Sequence, residues 1–124
     1  MDCARGRFKP LLDHVRRNLG ARHRVSDMAE RACMSPRHFA RAFQEETGLT
    51  PAKAVEKLRV EAARAALESG ASSLQRVANE CGFGDAENMR RSFLRLLGVP
   101  PSLQRALTRR ITDATSASHR WAFP

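Results

Sequence analysis

The sequence contains no tyrosine, a single tryptophan and only three cysteines, Cys3, Cys33 and Cys81. An odd number of cysteines without a CxxC spacing indicates neither a disulfide framework nor a zinc site. Cys33 and Cys81 are expected to be small buried thiols at the ends of equivalent helices, with redox sensing as the alternative. No apolar run approaches a membrane span, and MDCARGRFKP lacks the core of a signal peptide. We therefore expect a cytoplasmic chain with no membrane segment and no metal.

Sequence motifs of common enzymes are missing as well. The four histidines, His14, His23, His38 and His119, form no HExxH motif or other metal-binding spacing. Neither a glycine-rich phosphate loop nor a GxSxG nucleophile elbow is present. The sequence therefore predicts a protein that is not an enzyme and binds no cofactor.

Acidic residues are few relative to basic ones, with 13 Asp and Glu against 22 Lys and Arg and a formal net charge of +9. Only Lys9, Lys53 and Lys57 are lysines, so most of the positive charge is carried by arginine. An arginine-biased proteome with a solvated surface is one explanation. A polyanionic partner, usually nucleic acid, is the other.

Alternation of polar and β-branched residues, which is typical of strands, is hard to find in this sequence. Leucine, alanine, valine and methionine recur instead at helical spacing. The length of 124 residues suits one domain with a modest core. We expect an all-α fold of about seven helices.

The longest helical pattern runs from Thr50 to Gly70. Thr50 suits an N-cap, Pro51 suits the first helical position, and Gly70 suits a left-handed residue that ends the helix. The predicted helix over 51–69 has no internal glycine or proline, and it would be about 28 Å long. Its expected buried stripe consists of Val55, Leu58, Ala62 and Ala66.

The stretches on either side of this helix contain one pattern twice. AERACMSPRHFARAFQEETGLTP precedes the helix and ANECGFGDAENMRRSFLRLLGVPP follows it, at an offset of 49 residues before the turn and 50 after it. Arg41 thus corresponds to Arg91. Before the turn, Cys33 corresponds to Gly82. Two copies are too few for a solenoid and indicate two helix-turn-helix units joined by a connecting helix.

A helix-turn-helix pattern occupies the first unit, expected over about 9–49. A short helix ends at Cys33, and Ser35 is the expected N-cap of the next helix. In that helix Phe39 and Phe43 are expected on the buried face. Arg37 and Arg41 are expected on the opposite face.

The second unit, expected over about 72–110, repeats this construction. Ser72 or Ser73 caps its first helix, and Asp85 caps its second helix after the turn Gly82-Phe83-Gly84. The buried face of the second helix consists of Met89, Phe93 and Leu97. The outer face carries Glu87, Arg91 and Arg95, with Asn88 beside them.

Taken in order, these motifs resemble the DNA-binding domain of AraC/XylS-type transcription regulators. The resemblance covers about residues 8–110 and rests on the paired units, the connecting helix opened by GLTP, the GF turn at Gly82-Phe83 and the RxF triplets at 41–43 and 91–93. MSPRHFARAF, LRVEAARAALE and CGFGDAENMRRSF look closest to the GlxA-like branch, whose full-length members carry an amidotransferase-like domain ahead of this one. The chain is then either the C-terminal part of such a regulator, which its ragged start favours, or a stand-alone short regulator.

The resemblance implies sequence-specific binding of double-stranded DNA by two recognition helices in successive major-groove segments, and hence regulation of transcription. The family's base-reading positions fall on Arg37, Arg41, Glu87, Asn88 and Arg91. Phosphate contacts are expected from Ser35, His38, Arg24, Arg90 and Arg95.

Several of these roles have an alternative. Glu87 and Arg91 are four residues apart and could bridge each other instead of reading bases. His38 could reach a phosphate or simply cover the helix surface. An acidic protein is the alternative partner for the exposed arginines, in which case the domain would bind DNA poorly.

RNA polymerase is a further partner that the resemblance allows, because activators of this family touch it. Two readers in one chain make a monomer sufficient for DNA binding by this domain, although a missing domain could impose a dimer on the full-length protein.

The remaining boundaries follow from composition. We expect a lead-in or linker over 1–8, the double helix-turn-helix domain over 9–110 and a disordered tail over 111–124. A last helix from Pro101 to about Arg110 is expected to cover the second unit with Leu103, Ala106 and Leu107.

Overall fold

The computed structural model describes residues 7–70 and 73–106. Its helices are α1 (Lys9–Arg17), α2 (Val25–Arg31), α3 (Pro36–Thr47), α4 (Pro51–Glu68), α5 (Leu74–Glu80) and α6 (Ala86–Leu97). A seventh helical segment covers 101–106. These ranges contain no strand, so the expected all-α fold is confirmed. None of the helices in them is long and apolar enough to cross a membrane.

The backbone divides into two compact units between Arg59 and Val60, within α4. In the first unit α2 packs against α3, and in the second α5 packs against α6. Each pair is one copy of the repeated sequence pattern. The helix-turn-helix arrangement therefore occurs once in each unit.

The helix starts follow the capping residues in the sequence. A side-chain oxygen of each cap accepts a hydrogen bond from the backbone N–H three residues later, at 2.7–3.3 Å. The four caps are Ser35, Thr50, Ser73 and Asp85. Of the two serines proposed for α5, Ser73 is the observed cap. Ser72 lies outside the described residues.

Three phenylalanine rings form the centre of the first core. The ring centroid of Phe8 lies 5.6 Å from that of Phe39 and 5.1 Å from that of Phe43, and Phe8 is only 2% exposed. The Arg7 guanidinium lies 5.0 Å above the Phe8 ring and 3.5 Å from the Glu46 carboxylate near the end of α3. The expected lead-in over 1–8 therefore differs from the structure at its last two residues, because the Phe8 ring packs onto both α3 rings. Residues 1–6 lie outside the described ranges.

The connecting helix α4 contributes to both cores. In the first core it supplies Ala54, Val55 and Leu58, and in the second it supplies Val60, Ala63 and Leu67. Val55 and Leu58 belong to the expected stripe, and the other two members of that stripe, Ala62 and Ala66, are only half-buried. A helix shared between two cores buries more than one stripe, which a search for a single stripe does not find. The rest of the second core consists of Val77, Ala78, Cys81, Met89 and Phe93.

The second turn is one residue longer than the first, and the two turns also carry different residues at their first position. Gly82 has φ 91°, and its counterpart Cys33 has φ 59°, in the left-handed region that L-residues seldom adopt. Cys33 is exposed and Cys81 is buried. The expectation of a buried thiol was therefore wrong for Cys33, because the 49-residue offset aligns Cys81 with the half-buried Ala32 and not with Cys33. Burial is the main cause that raises the pKa of the Cys81 thiol.

Replacing Cys33 with glycine should raise the free energy of unfolding by about 0.5–1 kcal/mol, because relief of the left-handed strain exceeds the added entropy of the unfolded chain. Urea denaturation followed by circular dichroism measures the change. Cys33→Ala is the matched control, since alanine keeps the strained Cβ and should give no such gain. Equal free energies of unfolding for the glycine and alanine variants would mean that the left-handed conformation at Cys33 is not strained.

The segment after α6 does less packing than expected. Leu103 is 44% exposed, and Ala106 is exposed as well. Within 101–106, the buried residue is Pro101, at the start of the segment. The expectation that Leu103 and Ala106 cover the second unit was therefore wrong. Leu107, the helix beyond residue 106 and the tail over 111–124 lie outside the described residues.

Candidate nucleic-acid interface

The outer side of α3 is cationic. Its inner side is fixed by the buried residues Phe39, Ala42 and Phe43, so the residues on the other side must face solvent. We call Arg37, His38, Arg41 and Gln44 the first reader face. With Ser35 and Ala40 they line a shallow depression of about 720 Å³.

The two arginines of the first reader face are available for binding. The Arg41 side chain is 81% exposed, and its Nε lies 3.6 Å from Glu45 Oε2. Ion pairs of this exposed kind contribute about 0–1 kcal/mol, so a DNA contact could replace this one at small cost. Arg37 is exposed and forms no ion pair within the described ranges. Two guanidinium groups one helical turn apart are thus presented to the same side.

On the equivalent face of α6, one carboxylate accepts hydrogen bonds from the neighbouring arginines. Glu87 Oε1 and Oε2 accept hydrogen bonds of 2.9 Å from Arg90 Nε and Nη2, and Glu87 Oε2 also accepts one of 3.2 Å from Arg91 Nε. We call Glu87, Asn88, Arg90, Arg91 and Arg95 the second reader face. The structure therefore shows the bridge between Glu87 and Arg91 that the four-residue spacing allowed, together with a shorter one to Arg90.

These contacts change the pKa of Glu87. The hydrogen bond from Arg90 is the largest cause that lowers the pKa of Glu87 from its usual 4.5 to about 2, and Arg91 lowers it further. The same hydrogen bond raises the pKa of Arg90. Because the folded-state pKa is depressed, the contribution of Glu87 to stability is present above about pH 4.5 and is lost as the pH falls towards 2. Glu87 is therefore an anion under all conditions in which DNA binding would be measured.

Asn88 is partly committed to the turn. Its Nδ2 donates to the Phe83 carbonyl oxygen at 3.2 Å, and its backbone N–H donates to Asp85 Oδ1 at 2.7 Å. Adenine recognition by an amide needs both a donor and an acceptor. A base contact by Asn88 would therefore have to share or replace the bond to Phe83.

The expected phosphate-contacting residues occupy different places. Ser35 and His38 lie at the start of α3, where the Ser35 hydroxyl already accepts from the His38 N–H. Arg24 is exposed at the N-cap position of α2. Arg90 is held by Glu87, and Arg95 Nη2 lies 3.5 Å from the hydroxyl of the buried Ser92. Arg90 and Arg95 thus belong to the second unit, and the other three belong to the first.

Sequence reasoning assigned two glutamines no role at the interface. Gln44 lines the same depression as Arg37 and Arg41, and its spacing of seven and three residues from them was a usable signal. Gln75 Oε1 accepts a hydrogen bond of 3.3 Å from the Ala86 N–H and so ties α5 to the first residue of α6. No sequence signal marks this second contact, because the partner is a backbone amide eleven residues away.

The described residues contain no group of three or more His, Cys, Asp or Glu side chains placed to hold a metal ion. The chemistry that both faces offer is hydrogen-bond donation by guanidinium groups to planar acceptors. One carboxylate on the second face adds an acceptor.

Comparisons with known proteins agree with the helix-turn-helix arrangement. A family model described as "Helix-turn-helix domain" matches residues 28–107. The HTH-type transcriptional regulator Rv1931c of Mycobacterium tuberculosis is 49% identical over 86 residues, which are 69% of this chain and 33% of that protein. The chain spans about a third of the length of such curated relatives.

Several solved structures are similar in fold. The DNA-binding domain of AdpA, crystallised in complex with a target DNA, is 33% identical with a TM-score of 0.77, covering 82% of this chain and 92% of that one. A transcriptional regulator from Chromobacterium violaceum, described as AraC-type DNA-binding domain-containing, is 22% identical with a TM-score of 0.76 and covers 82% and 91%. At that identity the second likeness shows the fold alone.

Proposed function

The chain belongs to the AraC-type family of helix-turn-helix domains, and on that premise we propose that it binds double-stranded DNA sequence-specifically and so regulates transcription. The recognition helices are α3 and α6, and they occupy successive segments of the major groove. The solved relative AdpA, which holds a target DNA, supports this proposal. Membership in the GlxA-like branch stays a prediction.

The observation that carries the proposal is the first reader face. Three of its side chains, Arg37, His38 and Arg41, are exposed on one side of a helix whose other side is anchored in the core. Recognition helices in the major groove read base edges with residues near their N-terminal ends. Arg37 and Arg41 are the second and sixth residues of α3. They occupy the part of the helix that enters the groove.

Each base-reading residue has a preferred acceptor or donor on a base edge. Arg37, Arg41 and Arg91 can each grip guanine O6 and N7 with two hydrogen bonds, and a pair of this kind discriminates by about 1–3 kcal/mol. Asn88 can pair with adenine, and Glu87 can accept from cytosine N4. The remaining cations, Arg24, Arg90, Arg95 and His38, would hold the duplex through its phosphates, together with the Ser35 hydroxyl.

The wider roles are part of the same proposal. The protein has no catalytic activity and works in the cytoplasm, where its DNA is. One chain carries both readers, so a monomer suffices for binding by this domain. RNA polymerase is the second partner if the regulator activates. Relatives of this chain are longer proteins. A further domain in a full-length protein of that kind could impose a dimer.

Binding of a labelled duplex followed by fluorescence anisotropy over a salt series tests the proposal. If about three to six phosphates are neutralised, the logarithm of the affinity should fall with the logarithm of salt with a slope of roughly −3 to −5. An excess of a duplex of random sequence should compete less well than an unlabelled copy of a preferred one. Equal competition by poly-glutamate would favour the acidic protein partner instead.

A further inference from the structure

We propose that Glu87 determines the specificity of the second unit by holding Arg90 away from DNA phosphates and Arg91 away from base edges until a base-edge donor replaces them at the carboxylate. The inference rests on the proposed function and assigns the carboxylate a task beyond reading one base. Whether the arginines of α6 contact DNA then depends on the base sequence of the duplex.

The geometry of the carboxylate carries the first step. Both Glu87 oxygens are engaged, one by Arg90 alone and the other by Arg90 and Arg91. The Arg90 contact is bidentate, the arrangement that fixes a guanidinium in one orientation. The three side chains remain half to two-thirds exposed, with 49% for Glu87 and 65% for Arg91. An approaching duplex therefore meets the whole cluster and not two free cations.

The first reader face provides an internal comparison. Under the 50-residue offset Glu87 corresponds to Arg37, so the same helix position carries opposite charges in the two units. On α3 the carboxylate nearest to a reader is Glu45, four residues beyond Arg41 and 3.6 Å from it. The first face thus offers Arg41 in a loose pair and Arg37 without an ion pair among the described residues, whereas the second offers arginines that are held.

The energetics follow from charge. Phosphate binding by Arg90 would bring the Glu87 carboxylate close to the DNA backbone, and repulsion between these anions opposes the contact. Where a cytosine N4 amino group lies beside Glu87, the carboxylate gains a donor and its repulsion is offset. Affinity for arbitrary sequence is therefore reduced, and affinity for a matching sequence is kept. This is discrimination by penalising the wrong partner.

The test compares Glu87→Gln with Glu80→Gln. Glutamine keeps the shape of either side chain and removes one negative charge. Glu80 is the matched control, because it accepts a hydrogen bond of 3.0 Å from Arg76 four residues away on α5, outside the second reader face. Affinity for a duplex of random sequence is measured for both variants and for the unchanged chain over a salt series, after circular dichroism has confirmed equal helix content.

Glu87→Gln should bind the random duplex about 3- to 10-fold more tightly at 0.1 M salt, and its salt slope should become steeper by about one, as expected for one added phosphate contact. The ratio of affinities for a preferred and a random duplex should fall. Glu80→Gln should change neither quantity by more than about 2-fold, since it removes the same charge from another place.

Two results would overturn the inference while leaving the proposed function intact. Unchanged or weaker random binding by Glu87→Gln would mean that the carboxylate restrains nothing. An equal gain in Glu80→Gln would mean that net charge alone is responsible. Absence of salt-dependent duplex binding by the unchanged chain would remove the proposed function, and this inference with it.

Discussion

Replacement of Phe8 with alanine is expected to lower the free energy of unfolding of the first unit by about 3–5 kcal/mol. The Phe8 ring is 2% exposed and lies within 5.6 Å, centroid to centroid, of both Phe39 and Phe43. Truncation would leave a cavity against two rings of α3. Because small domains have only about 5–15 kcal/mol of stability, the loss is a large part of the total.

Urea denaturation followed by far-ultraviolet circular dichroism measures this loss. Leu103→Ala is the control, because the leucine side chain is 44% exposed and its truncation should cost no more than about 0.5 kcal/mol. A loss below about 1 kcal/mol for Phe8→Ala would mean that Phe8 does not belong to the core. A duplex-binding assay below the unfolding transition should also show weaker binding, since α3 is packed on this ring.

The second large effect concerns Arg41. Arg41→Ala should weaken binding to a preferred duplex by about 5- to 150-fold, the equivalent of losing one bidentate guanine contact. The side chain is 81% exposed with a carboxylate at 3.6 Å, so the loss cannot be attributed to folding. Discrimination among bases at one position of the binding site should be relaxed, which distinguishes a reader from a phosphate contact. Arg37→Ala should weaken binding in the same way and relax base discrimination at a neighbouring position of the binding site.

Arg64→Ala is the matched control for Arg41. Arg64 forms the same kind of exposed pair, with Nε 3.5 Å from Glu68 Oε2, on α4 instead of a reader face. Its loss should leave sequence preference unchanged. Normal sequence preference in both Arg37→Ala and Arg41→Ala, at unchanged helix content, would contradict the assignment of α3 as a reader.

Much of the fold could be predicted because its signals are local. Capping residues such as Ser35 and Asp85 act within one helical turn, and the paired phenylalanines of α3 define a buried face by spacing alone. The helix-turn-helix pairs followed from one pattern occurring twice. The family resemblance then supplied the function that composition had left open between a solvated arginine-rich surface and a polyanionic partner.

Features that depend on distant contacts could not be predicted. The place of Phe8 in the core is decided by Phe39 and Phe43, more than 30 residues away. Arg59, which looks like a surface residue of α4, donates at 3.1 Å to the Leu19 carbonyl and at 2.9 Å to the Ala21 carbonyl. Burial at this place lowers the pKa of its guanidinium.

The reader residues were a mixed case. Their positions on α3 and α6 follow from helical spacing, but their partners do not. Spacing allowed a bridge between Glu87 and Arg91, whereas the shorter bidentate contact to Arg90 depends on side-chain conformation. Which bases they read stays a prediction.

The most direct test of the central claim is selection of bound duplexes from a random DNA pool at two salt concentrations. Two recognition helices predict a bipartite motif whose halves lie about one duplex turn, or 34 Å, apart, with affinity that falls steeply as salt rises. A single enriched half would mean that one unit only positions the protein. No enrichment at either salt concentration would contradict sequence-specific binding by this chain and favour a protein partner for its exposed arginines.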